Sequence, residues 1–145
     1  MAMTIVIGNL QKKILIKPAR ITRTARKTLL NNKVKEARLS IAFVTDQRIK
    51  SLNKKYLDRE YTTDVLSFDL SLDVKEKTLE GEIVISTDTA LRNSKVFGTS
   101  VVKEIDLYVI HGILHLLGFD DHTQRDIQEI RTEEKKILKQ LGYDR

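Results

Sequence analysis

The 145 residues are 41% hydrophobic and 32% charged, with one proline, six glycines and no cysteine. That excludes a disordered or collagen-like chain, a disulfide framework, a thiolate metal site and a cysteine nucleophile, and the length predicts one domain over residues 1–145. The net charge of +6 is uneven, because residues 1–50 hold 12 lysines and arginines against two acids and residues 51–145 hold 14 against 18.

Met3–Ile7 and Ile14–Ile16 predict short strands, with Gly8 and Asn9 as the turn between them. Pro18 suits the first turn of a helix running to Asn31, with Ile21, Ala25 and Leu29 on its buried face and Arg20, Arg23, Arg26 and Lys27 elsewhere. Leu39, Ile41 and Phe43 alternate within a half-buried strand over Arg38–Val44. Asp46 then caps a helix whose buried side is Ile49, Leu52 and Tyr56. Leu57–Asp64 reads as a polar connection, Val65–Phe68 as a strand, Asp73–Glu80 as a charged loop, and Glu82–Ile85 as a returning strand. Asp88–Phe97 reads as a helix. Ser100–Leu117 is helical and apolar nearly all round, which predicts burial, and Gly118 is placed to end it in the left-handed conformation. Thr123 with Asp126 forms a capping box for a last helix with Ile127, Ile130, Ile137, Leu138 and Leu141 as its stripe. Interleaved helices and strands of this kind predict an α+β domain around one small mixed sheet.

No segment is long and apolar enough to span a bilayer: the longest apolar run, Leu107–Phe119, is short and contains two histidines. Basic residues interrupt Met1–Ile16, so no secretory signal is expected and the expected location is the cytoplasm. The basic first third suits a polyanion such as nucleic acid, bound through release of counterions; the alternative is a solvated helix face.

All three histidines fall between His111 and His122. His111 and His115 are four apart on a helix, hence stacked on one face and able to meet one ion. Gly118 lets the chain double back and bring His122 to the same ion. Three imidazoles plus a position for a metal-bound water describe a catalytic site. Metzincin peptidases carry a glutamate directly after the first histidine of their signature; Gly112 stands there, so their general base is missing.

His111-Gly112-Ile113-Leu114-His115-Leu116-Leu117-Gly118-Phe119-Asp120 resembles the signature of the YbeY family of bacterial metal-dependent endoribonucleases. Asn53-Lys54-Lys55-Tyr56, Thr63-Asp64-Val65-Leu66-Ser67-Phe68 and Gly81-Glu82-Ile83-Val84-Ile85 are similar to further motifs of that family, in the same order. The resemblance implies a zincin-like α+β fold with the metal at the end of a buried helix. It also implies one ion per chain, taken as Zn2+, and hydrolysis of single-stranded ribosomal RNA in small-subunit 3′-end maturation and ribosome quality control. Three positions depart from the pattern. The family's third histidine falls where this chain has Asp121; His122 is assigned as the ligand, with Asp121 as the alternative. The family arginine after the aromatic residue is Leu57, and Arg59, Lys54 and Lys55 are the nearest cations to replace it. Glu82 replaces an aspartate.

Charge building on a phosphate needs fixed cations, so Arg59 is the candidate catalytic cation beside the metal-bound water. Asp120 either orients a metal ligand or caps the next turn. Arg20, Arg23, Arg26, Lys27, Lys54, Lys55, Thr63 and Asp64 are candidate RNA contacts. Thr63, Asp64 and Ser67 either line a cleft beside the sheet or serve as turn residues (Thr63 and Asp64) and an outward strand position (Ser67), the outward position being favoured for Ser67. The competing functions are a zinc hydrolase of a peptide or small phosphoester, and a ribosome- or RNA-binding module with a structural metal.

Overall fold

The computed structural model describes residues 3–57, 63–71 and 78–143. Four strands, β1 (Met3–Asn9), β2 (Glu36–Val44), β3 (Val65–Asp69) and β4 (Thr78–Ser86), form one sheet in the order β1-β2-β4-β3. β1, β2 and β4 run parallel, and β3 joins the far edge antiparallel to β4. The expected small mixed sheet flanked by helices is therefore present.

Among the described residues five helices follow: α1 (Pro18–Asn31), α2 (Asp46–Leu57), α3 (Thr87–Phe97), α4 (Val101–Leu116) and α5 (Gln124–Gln140). Alternation along β2 and β4 sends Leu39, Ile41, Phe43, Ile83 and Ile85 to one side of the sheet. There they pack with Ile21, Ala25 and Leu29 of α1, Ala90 of α3, and Ile105, Val109 and Ile113 of α4. The opposite side chains, Val44, Leu66 and Val84, meet Ile49 of α2. α4 lies between the sheet and α5, with Ile110 and Leu114 turned to Ile130, Ile137 and Leu138. A helix covered on both sides must be apolar nearly all round, as its sequence is.

α4 rests closely on the sheet because position 112 has no side chain. A Cβ on Gly112 would stand 2.8 Å from Ile83 Cγ2 and 3.2 Å from Ser67 Oγ. The position that metzincins give to glutamate has no room for one here.

Several expectations change. Asp46 does not cap α2: the Thr45 hydroxyl accepts from the Arg48 N–H at 3.3 Å, and Asp46 is the first helical residue, its carboxylate turned to Ser86 and Thr89. Thr78–Glu80 belong to β4 rather than to the charged loop, because the pairing with β2 runs from Glu36 opposite Thr78. Ile14–Ile16 is not a strand, because Gln11 folds the segment into a loop: its side chain accepts from the N–H groups of Lys13 and Ile14 and donates to the Ile14 carbonyl. Gly8 and Asn9 belong to β1, opposite Ala42 and Phe43, since parallel pairing with β2 continues past Ile7. Tyr56 is exposed and meets Phe68 edge-on, and Asn53 takes the buried place beside Ile49 on α2. The capping box of Thr123 and Asp126 forms as expected.

Candidate metal centre

His111 and His115 occupy the last turns of α4. Their rings meet edge-on with centroids 4.4 Å apart, and the two Nε2 atoms face each other at 2.9 Å. The helix stops one residue after His115. Gly118 takes φ +99°, its N–H bonds the His115 carbonyl at 3.1 Å, and the Phe119 N–H bonds the Leu114 carbonyl at 3.0 Å. This is a Schellman ending, and it reverses the chain over the site. The reversal returns Asp121, whose carboxylate oxygen lies 3.8 Å from His115 Nε2. One donor atom from each of His111, His115 and Asp121 falls within 4.8 Å of the others.

The alternative third residue, Asp121, is thus the one that lies within reach of the pair, while His122, the first assignment, lies outside the group. His122 is 79% exposed in its side chain and groups instead with Asp120 and Asp121, its Nε2 3.1 Å from Asp120 Oδ1. Asp121 is itself exposed, 53% in its side chain, so it stands at the rim of the site rather than beneath it. Asp120 bonds that outward histidine and accepts from the Asp121 N–H at 3.3 Å.

Glu134, absent from the sequence reading, completes the arrangement. Its carboxylate lies 2.6 Å from His111 Nδ1, and its side chain is buried in α5. It accepts the Nδ1–H and so leaves the Nε2 lone pair of His111 facing the cleft. A signal was there to find: Glu134 interrupts the stripe of Ile127, Ile130, Ile137 and Leu138 at a position helical spacing assigns to the core. An acid in that place needs a partner.

The histidines open into a cleft of about 490 Å³ lined by Asn53, Leu57, Thr63, Asp64, Ser67 and Asp121 among others. Thr63 and Asp64 therefore line the cleft, as one of their two readings had it. Ser67 does not point outward: it is half-buried and donates to the Gly112 carbonyl at 3.0 Å, fastening β3 to α4. Lys54 and Lys55 are exposed at the end of α2 that also carries Leu57. Arg59 lies outside the described residues.

The α1 cations are elsewhere. α1 packs on β1, α4 and α5, and β1 is the edge opposite β3. Arg23 and Arg26 are exposed and Lys27 half-buried there, and none of them lines the cleft. Arg20 does not line the cleft either, and its guanidinium donates to Asp106, which is 1% exposed, and to the Tyr143 hydroxyl. Asp106 also accepts from Thr24 at 2.9 Å. A buried carboxylate requires such partners, which commits the arginine to the fold.

Burial pushes the His111 imidazole down, but Glu134, Asp64 and Asp121 outweigh it and the net shift is upward. Burial and the neighbouring His111 hold His115 below its ordinary value, Asp121 opposing. Two imidazole nitrogens 2.9 Å apart cannot both carry protons without repulsion, while the carboxylates around them call for positive charge. A divalent ion satisfies both demands, and two imidazoles with one carboxylate are donors that zinc and several other transition metals accept. The residues present fit a metal.

A family model described as Endoribonuclease YbeY matches residues 6–142. The chain belongs to the YbeY family. It is 37% identical over 141 residues to the Endoribonuclease YbeY of Carboxydothermus hydrogenoformans, covering 96% of this chain and 98% of that one. It is 38% identical to the protein of the same name from Syntrophus aciditrophicus, covering 94% and 86%. The solution structure of TM1509 from Thermotoga maritima matches 95% of this chain and 89% of its own at 25% identity, with a TM-score of 0.66. Within a YbeY chain, then, the histidine pair and Asp121 sit on the cleft beside edge strand β3.

Proposed function

We propose that this YbeY chain is a metal-dependent endoribonuclease cutting single-stranded RNA. The observation that carries the reading is the convergence of His111, His115 and Asp121 on one cleft wall, with Glu134 fixing His111 from behind. Those three would hold the ion, zinc by our reading. When bound, such an ion lowers the pKa of water toward neutrality and polarises a phosphoryl oxygen. The chain's own residues supply the rest. Glu134 sets the tautomer of His111, Ser67 holds β3 against α4, and Thr63 and Asp64 form the wall along which a strand lies. A cleft of about 490 Å³ is on the scale of small-ligand sites, roughly 300–1,000 Å³, which suits one nucleotide unit better than the face of a duplex.

The substrate in this proposal is ribosomal RNA, acted on in small-subunit 3′-end maturation and quality control within the cytoplasm, in contact with the ribosome. The family membership and the basic first third of the chain support that reading. Among the described residues no helix is long and apolar enough to cross a membrane.

One observation favours a second reading. Leu57 is on the cleft wall where the resemblance implies an arginine. A cleft short of that cation suits an RNA-binding module with a structural metal and little turnover.

The test is cleavage of a single-stranded RNA by zinc-loaded protein, with and without chelator, beside His111→Ala. Chelator and substitution should each abolish cutting. Metal-loaded protein that binds RNA but cuts nothing, and gains cleavage through Leu57→Arg, would establish the second reading. Protein that neither binds nor cuts would end both.

A further inference from the structure

His111 and Asp64 form more than the floor of one cleft. The same two residues line a second cleft, of about 550 Å³, on the other side of the metal centre between α3, α4 and α5. Its walls include Phe97, Tyr108, Lys103, Arg131 and Lys135. We propose that this second cleft is a subsite for the nucleotide next to the scissile phosphate, with Phe97 stacking on its base and Arg131 and Lys135 holding its phosphate; the proposal rests on the ribonuclease reading.

Phe97 is 67% exposed at the end of α3, just before Gly98 turns the chain away at φ +66°. A phenylalanine so exposed on a cleft wall offers a flat apolar face, and unpaired bases stack on such faces whatever their sequence. Arg131 and Lys135 lie one helical turn apart on the exposed side of α5, flanking Glu134. Among the described residues neither of them forms an ion pair or a side-chain hydrogen bond, so both charges are available to an anion. Two of the three acids of this cleft are committed, Glu134 to His111 and Glu104 to the Thr99 hydroxyl at 2.6 Å, while Asp64 accepts from the Thr63 hydroxyl at 3.4 Å on the side of the histidine pair. Tyr108 is held by Asn93 at 2.7 Å and gives the cleft a fixed inner wall. Continuity through His111 and Asp64 selects the occupant. Because the two clefts share His111 and Asp64, a strand with one phosphate at the histidine pair has its next unit within reach of this cleft.

The experiment measures binding of a single-stranded RNA oligonucleotide under chelator and its cleavage by zinc-loaded protein. Phe97→Ala should weaken binding about tenfold, and Phe97→Trp should restore it. Oligonucleotides carrying one abasic site at successive positions locate the stacked base: at one position the abasic loss and the Phe97→Ala loss should fail to add. The double variant Arg131→Ala, Lys135→Ala should flatten the log-log salt slope of binding by about 0.7 for each phosphate contact removed. Because all three side chains are exposed, the variants should fold normally. If the wild type cuts RNA and these variants match it in affinity, salt slope and abasic sensitivity, the subsite is overturned and the ribonuclease reading stands. If Phe97→Ala weakens binding of fully abasic and ordinary strands equally, base stacking is overturned. Wild-type protein that neither binds nor cuts RNA ends both readings together.

Discussion

At residue 121 the structure and the histidine pattern make opposite predictions about metal affinity. Asp121 lies within reach of His111 and His115, whereas His122 faces solvent and Asp120. Zinc titration followed by calorimetry should therefore show a large loss for Asp121→Ala and a small one for His122→Ala. The reverse ranking would mean that the ion draws the turn after Gly118 into a different arrangement. Glu134 acts one shell further out. Glu134→Gln keeps an acceptor for His111 Nδ1 but removes the charge that makes the imidazole a better donor, so zinc affinity should fall about tenfold, the low end of the range for such partners. Unchanged affinity would reduce Glu134 to a packing residue.

Between elements, Asp46 binds the start of α2 to the start of α3. Its carboxylate accepts from the Ser86 hydroxyl at 2.6 Å, the Thr89 hydroxyl at 2.9 Å and the Arg92 guanidinium, while its backbone N–H donates to Asp88. Burial pushes this carboxyl up, but the bonds from Arg92, Ser86 and Thr89 prevail and hold it below the ordinary value of 3.8. A lowered carboxyl contributes stability that is present above its unfolded pKa and lost as pH falls through the folded one. Asp46→Ala should therefore cost about 2 kcal/mol at neutral pH, on the scale of hydrogen bonds to a charged group. The gap between wild type and variant should close as denaturation is repeated below pH 4. A gap constant with pH would show that the carboxylate charge plays no part.

Across the whole molecule, the basic residues of α1 separate into two kinds. Arg20 is spent on Asp106 and Tyr143, so Arg20→Ala should destabilise the fold by about 2 kcal/mol in urea titration. Arg23 and Arg26 are exposed on the side away from β3 and line no part of the metal cleft. Their joint replacement by alanine should leave stability nearly unchanged and zinc-dependent cleavage at saturating RNA intact. Their only effect should be a uniform weakening of long RNAs that vanishes at high salt. A fall in turnover at saturation would place α1 in the cleft after all.

Local sequence determined what local physics controls. Pro18, the apolar spacing of α1 and α5, the Thr123–Asp126 box and Gly118 each satisfy or terminate backbone hydrogen bonds within a few residues, and each element formed where its signal lies. The pairing of His111 with His115 belongs to the same class, because helical periodicity alone stacks residues four apart. Only the tertiary structure decided which side chains meet across elements. Glu134 reaches His111 from 23 residues away, Asp106 claims Arg20 from 86 away, and Gly112 lets α4 settle against Ile83 and Ser67. It also placed Asp121 rather than His122 within reach of the histidine pair. The Schellman ending at Gly118 reverses the chain there, and the register of that reversal, which residue spacing alone leaves open, sets which of two neighbouring donors returns to the helix.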